Sequence, residues 1–138
     1  MSEKNLRGKV RDALKPGFVQ QIENLVGLGV PDTHYVVEGK SGWLELKFAE
    51  NIPARASTAV FKSLNRGLDI EQEAWIFKYA QHGGIVHMLP QIGKRCFIVP
   101  GYLAYQFNTM TCEEFEPYAC ELKNVRAYLA SCAVARKE

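Results

Sequence analysis

The chain has 138 residues, 47% hydrophobic and 23% charged, with six prolines and eleven glycines spread along it. That is enough apolar material for one globular domain over residues 1–138 and too much for a disordered chain. The formal net charge of +2 excludes a strongly basic whole-protein field, so an anionic partner must be met by a local patch or through metal ions.

The opening MSEKNLRGKVRDALK is polar and lacks the apolar core of a signal peptide. No stretch approaches the roughly 18 apolar residues of a membrane helix, so a soluble, cytoplasmic protein with no membrane partner is expected. Leu6, Val10, Ala13 and Leu14 predict a helix over Asn5–Leu14, stopped by Pro16-Gly17. FVQQIENLV is ambiguous, and the flanking glycines favour a strand over Phe18–Glu23. Two alternating runs, THYVVE and WLELKF, are separated by GKSG and predict a hairpin. After Pro53 a short helix is expected around Ser57–Leu64. In LDIEQEAWIFKYAQHGG, Asp69 and Gln72 have the form of a capping box. Ala74, Trp75, Phe77 and Ala80 supply a helical face, and Gly83-Gly84 ends the helix. IVHMLPQ and RCFIVP predict a strand pair turning at IGK. Thr111 and Glu114 repeat the capping-box form and open a C-terminal helical part with Phe115, Ala119, Leu122, Val125 and Leu129 as its buried stripe. This order predicts a mixed α/β sheet with helices on its faces, a core over about residues 5–100 and a helical extension over about 101–138.

The hairpin carries the chemistry. Alternation puts Leu44, Leu46 and Phe48 on one face of the second strand and Trp43, Glu45 and Lys47 on the other, with Glu45 and Lys47 about 7 Å apart along it. Antiparallel pairing brings Asp32, at the start of the first strand, to the end of the second near Glu45 and Lys47, in a register the sequence leaves open. Two carboxylates and an amine suit metal-assisted phosphodiester hydrolysis. Asp32, Glu45 and the Leu46 carbonyl offer hard oxygen ligands for Mg²⁺ or Mn²⁺, and Lys47 is placed to orient water or stabilise charge. Taken singly, a Glu-x-Lys pair on a strand is ordinary surface chemistry, and Pro31-Asp32 is an ordinary way to begin a strand.

Together, Gly29-x-Pro31-Asp32 and, thirteen residues on, Glu45-x-Lys47 resemble the motif of the PD-(D/E)XK nuclease superfamily. GVPD…WLELK followed by LDIEQEAW and then GG resembles, more narrowly, the virus-type replication-repair (VRR-Nuc) nucleases, over about Ile22 to Val86. The resemblance implies a restriction-endonuclease-like core and a metal-dependent endodeoxyribonuclease of phage or prophage origin. It further implies branched or Holliday-junction-like DNA as substrate and a homodimer as the active form. Asp32 and Glu45 would bind Mg²⁺ or Mn²⁺, Lys47 would serve the water, and Gln72 would join them. Glu23 would correspond to an additional upstream acid. Gln72 has a competing role, reaching back to the Asp69 backbone within the capping box. A flap or single-strand nuclease or a nickase on the same fold, and a catalytically silent DNA-binding or inhibitor module, are the alternatives.

Lys40, Arg55, Lys62, Arg66 and Lys94-Arg95 are candidate phosphate contacts, each explained as well by a solvated surface. His87, in an apolar strand, reads as a satisfied core residue. His34, on the hairpin, is the histidine placed to lie near the site. Trp43 reads as packing against a helix or as a contact to a base. Cys96, Cys112, Cys120 and Cys132 are spaced 16, 8 and 12 apart, which fits reduced, mostly buried thiols better than a zinc site.

Overall fold

The computed structural model describes residues 3–22, 28–61 and 67–132. A six-stranded mixed sheet is built from β1 (Phe18–Gln21), β2 (Thr33–Val37), β3 (Lys40–Ala49), β4 (Val86–Ile92), β5 (Arg95–Cys96) and β6 (Val99–Pro100). The strands β1 to β5 run in sequence order across the sheet, and β6 pairs with β4. β1, β2 and β3 are antiparallel, whereas β3 and β4 are parallel and joined by a crossover that contains helix α2 (Ile70–Gln81). Helix α1 (Glu3–Ala13) precedes the sheet. The short helices α3 (Ala104–Phe107) and α4 (Cys112–Phe115) and the longer α5 (Leu122–Ser131) follow it.

Two cores lie on opposite faces. On one, Ile76 of α2 packs with Val86, Met88, Phe107 and Phe115. On the other, Leu6 and Val10 of α1 and Val125 and Leu129 of α5 enclose Tyr35, Leu44, Leu46 and Leu89. Every residue of β4 is consequently buried, as expected of a strand covered on both sides. Helix α5 supplies fully buried side chains to the second core. Leu129→Ala is therefore expected to cost about 2–5 kcal/mol of stability, read by chemical denaturation.

Several expected elements are corrected by the structure. The hairpin turns at Glu38-Gly39, with φ of 46° and 78°, and Val37 already pairs with Lys40, so the expected loop GKSG is part of β3 from Lys40 onward. Two consecutive left-handed residues make the tight turn that matches strand twist, and a glutamate at the first of them disguised it. Residues 57–61 form turns and an isolated bridge from Ala59 to Thr111 in place of the first part of the expected helix. Residues 62–64 of that helix lie outside the described residues. RCFIVP keeps one register against β4 but is split into β5 and β6. The break falls opposite Pro90, which has no N–H to donate. Phe97 still donates to the Pro90 carbonyl at 3.0 Å, while Ile98 turns its N–H to Tyr118 at 2.8 Å. The C-terminal helical part is interrupted by a 3₁₀ turn over Glu116–Tyr118 containing Pro117, which leaves Ala119 exposed while Phe115, Val125 and Leu129 are buried.

His87 is buried beside α5, with Nε2 3.5 Å from the Tyr128 hydroxyl and Nδ1 without a hydrogen-bond partner among the described residues, so only half of the ring is satisfied there. Burial lowers its pKa from 6.5 to about 4. The unfolded chain then takes up a proton that the folded one refuses between these values. Stability is full above pH 6.5 and falls by about 3 kcal/mol as pH drops to 4. His87→Leu is expected to flatten this part of the pH–stability profile in urea titrations. All four cysteines are free thiols. Cys96 is buried, and burial pushes its pKa up to about 11; the other three are half-buried.

Candidate active site

The turn leading into β2 sets the position of Asp32. Gly29 has φ +81°, and a Cβ there would collide with the backbone carbonyl of Glu71 in the first turn of α2. Its glycine thus lets the strand approach α2 closely. The Asp32 carbonyl accepts from Ile22 N at 2.7 Å at the end of β1. Its carboxylate accepts from Thr33 Oγ1 at 3.0 Å and, through both oxygens, from Leu46 N at 3.3 and 3.4 Å. Thr33 pairs with Leu44, and continuing that register by one step sets Asp32 opposite Glu45. In an extended strand the N–H and C=O of one residue leave the same edge. The Leu46 carbonyl therefore faces the edge at which the Asp32 carboxylate sits.

Glu45 is only 3% exposed. Burying a carboxylate costs several kcal/mol unless a counter-charge and hydrogen bonds offset it. Both are present at Oε2: Lys47 Nζ lies 3.5 Å away and Gln72 Nε2 donates at 3.1 Å. The pair is not the ordinary surface Glu-x-Lys of the competing reading, because Gln72 of α2 reaches over it and the Lys47 side chain keeps only 12% of its exposure. Gln72 makes the capping-box contacts and also reaches the Glu45–Lys47 pair. Its Oε1 accepts from Asp69 N at 3.0 Å and from Lys47 Nζ at 3.4 Å, and its own N–H donates to Asp69 Oδ1 at 2.8 Å. One side chain therefore closes the N-terminal cap of α2 and bridges the Glu45–Lys47 pair.

A positioning residue escaped the sequence reading. Asn108, just after α3, donates to the Leu68 carbonyl at 2.8 Å and accepts from Leu68 N at 2.7 Å, immediately before the Asp69 cap. It fixes where α2 starts, and hence where Gln72 projects, from 40 residues away.

The other candidates are dispersed. Lys40 opens β3 opposite Val37, at the far end of the hairpin, five residues or about 17 Å from Glu45. Alternation places it on the α5 face, where its charge lowers the Cys132 thiol against the stronger upward effect of burial. Arg55 is exposed in the loop after β3. Lys94 is exposed in the β4–β5 turn, while Arg95 is held by Glu116 in a two-pronged pair at 2.7 and 2.8 Å. Glu23, Lys62 and Arg66 lie outside the described residues. His34 and Trp43 pair across β2 and β3, one step along the same face from Asp32 and Glu45.

Among the described residues no three His, Cys, Asp or Glu side chains gather as a metal cage. The oxygens offered at this end of the hairpin, the Asp32 and Glu45 carboxylates at paired positions and the Leu46 carbonyl at the same edge, are all hard donors. This set fits an ion such as Mg²⁺, which binds through one or two carboxylates and completes its shell with water and phosphate oxygens.

No family model and no curated protein matches the chain. A solved structure of similar fold is Archaeoglobus fulgidus Hjc, a Holliday junction resolvase from an archaeal hyperthermophile. It aligns with a TM-score of 0.60 at 13% identity, over 92% of this chain and 97% of that one. The likeness establishes the fold: an α/β, restriction-endonuclease-like core with a mixed central sheet flanked by helices and further helices at its C-terminal end. Among the described residues no helix is long and apolar enough to cross a membrane.

Proposed function

We propose that this chain is a divalent-metal-dependent endonuclease that hydrolyses phosphodiester bonds in branched DNA, four-way junctions included. The observation that carries the reading is the meeting of Asp32, Glu45, Lys47 and Gln72 where β2, β3 and the first turn of α2 come together. The similar fold of a protein described as a Holliday junction resolvase supports the branched substrate. Asp32, Glu45 and the Leu46 carbonyl would hold Mg²⁺ or Mn²⁺. Such an ion lowers the pKa of a bound water and offsets charge on phosphate oxygens. The Lys47 ammonium, a compact point charge with three donors, orients the attacking water and stabilises charge building on the phosphate. Gln72 holds the Glu45 carboxylate in one rotamer and keeps Lys47 beside it. Arg55, and Lys62 and Arg66 beyond it in the chain, are proposed as phosphate contacts, which makes affinity fall with added salt. The homodimer belongs to the same reading, because symmetric cutting of a four-way junction needs two active sites. The phage setting rests on the motif resemblance.

The test is to incubate the purified protein with a four-way junction, a flap and a linear duplex of matched sequence, with Mg²⁺, with Mn²⁺ and with EDTA. The reading predicts cleavage of the junction with either metal and none with EDTA. Salt-sensitive binding without cleavage of any of the three DNAs would identify a silent binding module instead.

A further inference from the structure

A row of aromatic rings crosses the sheet beside the carboxylate pair. Phe18 on β1 meets His34 on β2 edge to face at 6.2 Å, and His34 lies 4.8 Å from Trp43 on β3. Trp43 meets Trp75 on α2 at 5.8 Å, and Trp75 stacks on Tyr79 at 4.9 Å with planes 11° apart. The α2 end of this row is packing: Trp43, Trp75 and Tyr79 lie half-buried against the core beneath the helix.

The other end has no such explanation. Helix α2 packs chiefly on the helical turns over Gly101–Phe107 and, to a lesser extent, on β4. In β2, Thr33, Tyr35 and Val37 are buried, while His34 and Val36 are half-exposed on the opposite face. On β1, Phe18 is 53% exposed on that same open face. Two rings therefore stand on a strand surface that the described residues leave open to solvent. His34 and its partner Trp43 stand two residues, about 7 Å along the strands, from the Asp32–Glu45 position, and Phe18, paired with Val36, stands two residues further along.

We propose that Phe18 and His34, backed by Trp43, form a stacking platform for unpaired nucleobases, which leads a single DNA strand to the Asp32–Glu45 site. Every base has a π-face, so such a platform binds without sequence preference. A duplex keeps its base faces stacked internally, so the platform selects the unpaired nucleotides at a branch point or flap. The proposal rests on the nuclease reading only for the direction in which the strand is led.

The chain contains just two tryptophans, and both belong to the row, which makes their fluorescence the probe. The full chain is titrated in EDTA with a 15-nucleotide oligothymidylate and, separately, with a blunt duplex of equal length. Saturable quenching is expected with oligothymidylate and a weaker response with duplex. Phe18→Ala and His34→Ala should each weaken oligothymidylate binding at least about fivefold, and Phe18→Tyr should restore it. Phe18 is exposed, so its alanine variant should keep the native circular dichroism and melting curve. Absence of quenching in the parent chain, or unchanged affinity in both alanine variants, overturns the proposal. Because cleavage plays no part in the titration, the two readings fail separately. A chain that binds in this way but cuts nothing loses the nuclease assignment and keeps the platform. A chain that cuts junctions with Phe18→Ala and His34→Ala affinities unchanged keeps the nuclease and loses the platform.

Discussion

Asp32→Asn is expected to fold like the parent chain and to cleave a four-way junction at least about a thousandfold more slowly. Its amide oxygen can still accept the Leu46 and Thr33 hydrogen bonds that hold the residue in place. What disappears is the negative charge that would bind the ion, and an ion that activates water and neutralises phosphate is worth several kcal/mol in the barrier. Lys47→Met should lose as much activity by removing the ammonium while keeping most of the aliphatic stem. It also leaves the buried Glu45 carboxylate without its 3.5 Å counter-charge, so a lower melting temperature is expected in this variant alone. Single-turnover cleavage with Mg²⁺ and a melting curve separate the two effects. Rates within tenfold of the parent in both variants would remove these residues from the chemistry.

The second large effect concerns Gln72, whose two duties can be pulled apart. Asp69→Ala removes the acceptor for Gln72 N–H and should cost about 1 kcal/mol of stability, with less than a threefold change in cleavage below the melting transition. Gln72→Ala loses the reciprocal cap bond together with its contacts to Glu45 and Lys47, and cleavage should fall about 10–100-fold, as for partners that orient metal ligands. Gln72→Glu is the sharper probe. It keeps an oxygen for Asp69 N–H and for Lys47, but faces Glu45 Oε2 with a carboxylate in place of the amide donor. Its cap should survive and its activity should not. If Asp69→Ala and Gln72→Ala slow cleavage equally, Gln72 acts only through the helix cap.

What could be read from the sequence follows the range of the interactions concerned. The α2 cap was legible because a capping box is a local device, closed by residues three apart. The meeting of Asp32 with the Glu45 region followed from hairpin geometry, since antiparallel strands return to their starting point whatever the loop. The turn itself was misplaced because Glu38 adopts a left-handed φ of 46° that glycine or asparagine would have advertised. Alternation correctly separated Leu44 and Leu46 from Glu45 and Lys47, but it says nothing of what covers each face. The burial of Glu45 depends on a helix that begins 25 residues later in the chain. Asn108 lies further still from the Leu68 backbone it clamps, and no local pattern marks an asparagine after a short helix as a partner for another element. Pro90 did carry a signal: a proline inside an otherwise central strand forecasts a break in its neighbour's ladder, here between β5 and β6.

The central claim is that Asp32 and Glu45 share one divalent ion, and a crystal of the protein soaked in Mn²⁺ tests it most directly through the anomalous signal of the metal. The account predicts a single strong peak within bonding distance of an Asp32 oxygen, a Glu45 oxygen and the Leu46 carbonyl, absent from crystals of Asp32→Asn. A parent crystal whose manganese binds elsewhere, or not at all between these two side chains, would contradict it.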